Sequence, residues 1–296
     1  MIFKSFDGKE IFVHEWTDVE RPKGIVQIIH GMVEHGKRYE KFARFLNEYG
    51  YIVVADDHRG HGETDKGTLG YCAGNMFADT VRDEGELTKF YKNKYPDLKY
   101  FVFGFSYGSF LTQSYLGVYG NLIDGAVLGG SNQKKDFEVY LGSLVAGAGN
   151  KKKPANMIEK LSFGAYAKQF KEGEWLSNDA ENNARYHTDP YCSFTCSNRF
   201  YRDFFKGLKK LYTAKYRRGL NKELPMLLAA GADDPVGDKG KGMKKLYRFY
   251  REKAGVKDVT LVLFEHSRHE FLNEASTFEE AYRTMLTFFN RVCERE

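Results

Sequence analysis

The residues with the clearest capacity for chemistry are Gly104-Phe105-Ser106-Tyr107-Gly108, which directly follow the short apolar run Tyr100 to Phe103. Glycine at both ends of a strand-to-helix turn permits a bend so tight that flanking side chains would collide. It lifts the central serine hydroxyl above the sheet. The next amide, that of Tyr107, then stands at a helix N-terminus, where it can stabilise a developing oxyanion. Serine at its ordinary pKa is a weak nucleophile, so it needs a base, and the base needs a third group to orient it. Of eight histidines, His269 lies in His266-Ser267-Arg268-His269-Glu270, between the last apolar run and the last helical stretch. That loop shares a sheet edge with Ser106, because both follow strand C-termini. His266, nearer the strand, competes with it. An acid is expected after the preceding strand, where Gly231-Ala232-Asp233-Asp234-Pro235-Val236 stands. Composition does not separate Asp233 from Asp234. A second oxyanion donor is expected after an early strand, and the Met32 amide in His30-Gly31-Met32-Val33-Glu34-His35-Gly36 fills that place.

The elements that must carry these groups follow from hydrophobic spacing. Ile25 to Ile29, Tyr51 to Ala55, Tyr100 to Phe103, Gly125 to Leu128, Met226 to Ala230 and Val259 to Leu263 are short runs without polar alternation. Such runs suit strands buried on both faces, as in a parallel sheet. An extended opening around Ile11, Phe12, Val13 and Trp16 precedes them. Between the runs lie stripes at helical spacing: Tyr39, Phe42, Phe45 and Leu46; Phe77, Val81, Leu87 and Phe90; Phe110 to Tyr115, in a helix beginning near Ser109; Leu246 to Tyr250; and Phe278 to Phe289. The alternation predicts an α/β fold with a mostly parallel sheet and helices on both faces.

It breaks off after Gly130 and resumes at Leu224, which divides the chain into a core of residues 1–131 and 221–296 and an insertion of residues 132–220. From Asn132 to Leu220 there are 17 Lys+Arg against 9 Asp+Glu, whereas the whole chain carries a net charge of only +5. A charge so small gives no case for nucleic acid. Tyr201, Phe204, Phe205, Leu208, Leu211 and Tyr212 follow helical spacing within this block, with lysines on other faces. Such a helix can lie on an anionic membrane surface or pack its stripe onto the sheet domain. We take the second reading for the helix and keep transient membrane-surface contact for the basic block.

Other clusters read as structure. His30 with His35 lacks a third metal ligand at usual spacing, and the glycines of Asp56-Asp57-His58-Arg59-Gly60-His61-Gly62 mark a tight loop with satisfied polar side chains. Cys72, Cys192, Cys196 and Cys293 are scattered and read as free thiols. The apolar share of 42% supports a sizeable core, and no run approaches the roughly 20 apolar residues of a membrane span. The opening residues lack a secretory signal pattern, so a cytoplasmic address is expected.

Taken in order, His30-Gly31-x-x-Glu34-His35-x-x-Arg38-Tyr39, Asp57-x-Arg59-Gly60-His61-Gly62, Gly104-x-Ser106-x-Gly108, Gly231-x-x-Asp234-Pro235-Val236 and His269-Glu270-x-x-Asn273-Glu274 resemble the monoacylglycerol lipase and lysophospholipase group of the α/β-hydrolases. The likeness runs from about residue 25 to 290. It implies Ser106 as nucleophile, Asp234 rather than Asp233 as acid, His269 as base, and the Met32 and Tyr107 amides as oxyanion hole. It also implies no cofactor, a single-chain lipid ester as substrate, and the insertion as a cap that selects it. A peptidase or thioesterase would keep the same three residues, and a lipid-binding protein without turnover is the rival of another class.

Overall fold

The fold is taken from a computed structural model that describes residues 1–133, 142, 144–147 and 149–295. Lys134 and Lys135 of the basic block lie outside the described residues. One sheet contains β1 (Ile2–Lys4), β2 (Glu10–Trp16), β3 (Gly24–Ile29), β4 (Tyr51–Asp56), β5 (Lys99–Phe105), β6 (Gly125–Gly129), β7 (Met226–Gly231) and β8 (Val259–Phe264). Their order is β1-β2-β4-β3-β5-β6-β7-β8, antiparallel at the β1 and β2 end and parallel from β4 through β8. The helices are α1 (Glu40–Glu48), α2 (Met76–Lys94), α3 (Tyr107–Tyr119), α4 (Asn156–Ala167), α5 (Ala180–Thr188), α6 (Asn198–Leu208), α7 (Ala214–Gly219), α8 (Lys241–Arg248) and α9 (Phe278–Cys293).

β-branched and aromatic residues fill both faces of the central strands. Val26, Ile28, Val53, Phe101 and Phe103 pack with Phe42, Leu46 and Phe289 of α1 and α9. Their alternating neighbours Ile25, Ile29, Ile52, Val54 and Val102 pack with α2, α3 and α8. Each fully buried side chain of this size contributes about 1.5–3 kcal/mol, so the strand ends are a rigid mount. Gln27 is the polar exception within β3, and it is fully bonded. It accepts from Thr88 Oγ1 (2.8 Å) and Tyr100 OH (2.6 Å), and donates to Glu84 Oε2 (2.5 Å).

Between β6 and β7 the described residues hold α4 to α7 and an isolated bridge between Pro154 and Ser197, with no further strand. α6 is amphipathic as its spacing predicts. Phe200, Tyr201, Phe204 and Leu208 turn inward against Phe77 of α2 and Tyr107 of α3. The stripe therefore lies against the core. The helix ends at Leu208, earlier than the spacing indicates, and Tyr212 sits in a turn with φ 65°. Two further differences are local. α3 opens at Tyr107 instead of Ser109, and Phe90 leaves the buried stripe of α2 to rest edge-on against Phe3 at the surface. The four cysteines are free. Among the described residues no helix is long and apolar enough to cross a membrane.

Candidate active site

β5 ends at Phe105 and α3 begins at Tyr107, which leaves Ser106 alone on the turn at φ 53° and ψ −118°. A side chain at such angles costs about 1–3 kcal/mol and persists only where the surroundings enforce it. Here they do. A Cβ on Gly104 would lie 2.1 Å from Thr112 Oγ1, and one on Gly108 only 1.9 Å from the Ile29 carbonyl oxygen. The Ser106 amide donates to Gly129 O at 2.9 Å, which ties the turn to β6.

The loop after β8 carries His269 to this turn, with Nε2 2.8 Å from Ser106 Oγ. Its other nitrogen, Nδ1, lies 3.0 Å from Asp234 Oδ1 on the loop after β7. A proton on Nδ1 facing the carboxylate leaves Nε2 free to accept from the hydroxyl. Burial disfavours the His269 cation, but the adjacent Asp234 carboxylate more than offsets this and raises the pKa above the usual histidine value. Asp234 is fully buried, and its Oδ1 also accepts the Val236 amide at 2.8 Å. Asp233 is half-buried and joins the loop by donating its amide to Ser267 O. His266 is exposed, at φ 56°, and its carbonyl accepts from Asn178 Nδ2 at 2.6 Å. Ser106, His269 and Asp234 thus come together, while Asp233 and His266 stay apart.

Met32 and Tyr107 line the same cavity as Ser106. Among the described residues neither backbone amide has an acceptor within the protein. Two free donors in the cavity that holds a serine hydroxyl are of the kind that can hold an oxyanion.

Glu34, Arg38 and Glu270 were visible in the sequence as motif letters without a role. They form one buried network. Glu34 Oε1 accepts from the Gly31 amide (2.5 Å) and Tyr39 OH (2.8 Å), which holds the residue before Met32. Arg38 Nη1 donates to Glu34 Oε2 (2.5 Å) and Glu270 Oε1 (2.6 Å), and Nη2 to Glu270 Oε2 (2.9 Å). Burial alone would lower the arginine's pKa, yet the two carboxylates hold it well above its ordinary value. Burial likewise pushes Glu270 up, and Arg38 brings it below the usual carboxylate range. The arginine thereby joins the Met32 loop to the His269 loop. Asn182 of α5 adds a donor to Glu270 Oε2 at 2.6 Å.

Three clusters bring potential metal-ligand atoms within 4.8 Å of one another among the described residues: His14, His35 and Asp57; His35, Asp189 and Cys192; and Asp56, His58 and Glu84. Several of their atoms bond within the fold, whereas Asp56 Oδ1 and Glu84 Oε1 are buried with no hydrogen-bond partner among the described residues. Asp57 Oδ1 meets His14 Nε2 (3.0 Å) and accepts the Gly36 amide (2.8 Å), and His35 Nε2 meets Asp189 Oδ2 (2.9 Å). His30 accepts the His58 amide on Nε2 (3.0 Å) and stacks on the His58 ring with centroids 3.7 Å apart. The glycine-rich loop from Asp56 to Gly62 is thus bonded as its spacing indicated at Asp57 and His58, but not at Asp56 Oδ1.

A cavity of about 980 Å³ opens above Ser106 and is walled largely by aromatic and aliphatic side chains. Fold and site together define an α/β hydrolase. Residues 20–276 match the family described as serine aminopeptidase S33, and the chain belongs to that family. The monoacylglycerol lipase of Mycolicibacterium smegmatis is 26% identical over 277 residues, covering 92% of this chain and 90% of that protein. Human monoglyceride lipase is 33% identical over 102 residues, 34% of this chain and 33% of that protein, so the match spans about a third of that relative's length. A highly thermostable carboxyl esterase from Bacillus coagulans, solved in complex with glycerol, superposes with a TM-score of 0.88 at 28% identity, covering 99% of this chain and 98% of that one.

Proposed function

We propose that the chain hydrolyses carboxylic esters carrying one acyl chain, monoacylglycerols or lysophospholipids, with Ser106 as nucleophile, His269 as general base and Asp234 as the acid that orients it. The observation that carries this is the 2.8 Å approach of His269 Nε2 to Ser106 Oγ at the foot of a largely apolar cavity. Ser106 Oγ attacks the ester carbonyl carbon while its proton passes to His269 Nε2. The oxyanion rests on the Met32 and Tyr107 amides, each such donor contributing about 10²–10³ in rate. The ester C–O bond then breaks and His269 returns the proton to the departing alcohol. Water attacks the acyl-enzyme, gives a proton to His269, and the acid leaves as Ser106 Oγ recovers it.

Residues 132–220 act in this reading as the cap that shapes the acyl site. Phe163, Trp175, Phe194 and Phe204 come from that segment and face the cavity, surfaces suited to an acyl chain more than to a peptide. The basic cap also supports transient contact with anionic membrane surfaces, since α4 exposes Met157 and Leu161 beside Lys160.

The test is labelling with a fluorophosphonate probe, followed by hydrolysis rates over p-nitrophenyl esters, monoacylglycerols, lysophospholipids, thioesters and aminoacyl amides. Labelling that is lost in Ser106→Ala, with rates highest on single-chain glycerol esters, is the expected outcome. Labelling that survives Ser106→Ala, or rates highest on amides, would overturn the reading.

A further inference from the structure

The segment between β6 and β7 touches the His269 ring itself. Trp175 stands with its ring centroid 5.3 Å from that of His269, the planes inclined by 37°. Phe105 packs on the same imidazole at 4.9 Å, also at 37°. Both lie inside the roughly 6 Å within which an aromatic face attracts a cation, an attraction that grows when the site is desolvated.

The backbone on either side of Trp175 explains how it is held there. Glu174 O accepts from the Arg268 guanidinium, and Leu176 O accepts from the Glu270 amide at 2.8 Å. The neighbours of Trp175 are therefore bonded to the neighbours of His269, which sets the two rings opposite one another. Arg268 adds an ion pair to Glu172 and lies 4.1 Å from the Phe170 ring centroid, so the approach to Trp175 is fastened to the same loop. Behind the tryptophan, Phe163 stacks at 5.4 Å and 21°, and Tyr166 packs at 5.3 Å, both from α4. The ring that meets His269 is thus fixed from the loop side and from the cap side.

We propose that Trp175 is a positioning residue for the hydrolytic reaction: it holds the His269 ring and stabilises the imidazolium that His269 becomes as Ser106 attacks. A neutral imidazole gains little from the tryptophan face, whereas a cation gains more, so the interaction favours the transition state over the resting enzyme. The charged groups that also act on His269 are Asp234 from the loop after β7, Glu34 from the loop after β3, with Arg38 paired to it, and Glu270 beside it in sequence. None of these is altered by changing Trp175. The inference rests on His269 being the general base, and complete loss of turnover in His269→Ala tests that premise by itself.

Trp175→Leu keeps an apolar group and removes the π face; Trp175→Phe keeps the face. The leucine variant is expected to lose about tenfold in kcat and to move the acid limb of its kcat/KM profile down by about half to one pH unit, with the phenylalanine variant restoring most of both. The direction discriminates. If the ring served only to exclude water, removing it would rehydrate His269 and move the limb upward, because burial depresses a histidine's pKa. An NMR titration of the His269 ring in Ser106→Ala, with and without Trp175→Leu, reads the same shift without turnover. An acid limb or titration midpoint that rises or stays in place, or leucine and phenylalanine variants that behave alike, would overturn the proposal.

Discussion

The central sheet and the segment inserted between β6 and β7 treat apolar residues in opposite ways. Every position of β3, β4, β6 and β7 is buried, because each strand has a neighbour on both edges and helices on both faces. α4 is flanked on fewer sides and leaves Met157 63% and Leu161 64% exposed. The difference separates two tasks. Ser106 and Asp234 follow the packed strands β5 and β7, where geometry can be kept to within about half an ångström, and His269 follows the edge strand β8, which is buried at Val259 and Phe264. The walls of the cavity come largely from the less buried segment, where local opening costs less. Arg38 and Trp175 span the boundary, the first through the bond between Glu270 and Asn182 and the second through its contact with His269.

If the chemistry belongs to the sheet side, its variants should cost far more than those in the insertion. Ser106→Ala comes first. It should leave circular dichroism and thermal unfolding unchanged while ester turnover falls by at least about 10³-fold. Retained turnover would move the nucleophile elsewhere and dissolve the comparison. Next is the pair on the β7 loop. Asp234→Asn should lower kcat by on the order of 10⁴, against under about tenfold for Asp233→Asn. It should also lower the pH at which activity falls on the acid side. In the wild type that limb should lie above the usual histidine value, because Asp234 favours the His269 cation and activity is lost as pH falls through the raised pKa. Reversed effects of the two aspartates would reassign the acid and leave Ser106 and His269 standing.

Arg38→Met tests the boundary. It leaves Glu34 and Glu270 as buried carboxylates without their cation, at a cost of about 3–5 kcal/mol in urea unfolding. Because one arginine serves both loops, kcat should fall by about 10- to 100-fold in the folded variant, with a smaller change in KM. A variant that loses stability but keeps full kcat would show that the network is a structural tie alone. The smallest effect is expected on the outer face of α4. Replacing Met157 by glutamate and Lys160 by glutamine, both exposed and outside the cavity wall, should weaken association with anionic liposomes several-fold at low salt, with hydrolysis of a dissolved p-nitrophenyl ester unchanged. Liposome binding that ignores salt and both substitutions would remove the membrane contact from the cap.

Much of the sheet side was legible beforehand. Runs such as Ile25 to Ile29 can be stable only as strands covered on both faces, and Gly104 and Gly108 bracket a turn that no other residue could enter. α6 was legible as an amphipathic helix but not as to which surface it meets, since spacing defines a face and says nothing of its partner. Tertiary structure brought its aromatics onto Phe77 and Tyr107.

The choice between neighbours was likewise tertiary as far as the residues themselves go. Asp233 and Asp234 share composition and loop, and His266 and His269 share a loop. Only Asp234 and His269 reach one another, because side chains at different positions of a loop leave the backbone in different directions. Local patterns in the sequence thus determined the strands, the strained serine turn and the order in which the candidate groups follow their strands, because each depends on residues a few positions apart. The Arg38 network and the meeting of Trp175 with His269 join residues far apart along the chain, Arg38 and Glu270 being 232 positions from one another. Nothing in local spacing encodes such a distance, and it is decided when the strands pair and bring their loops to one edge of the sheet.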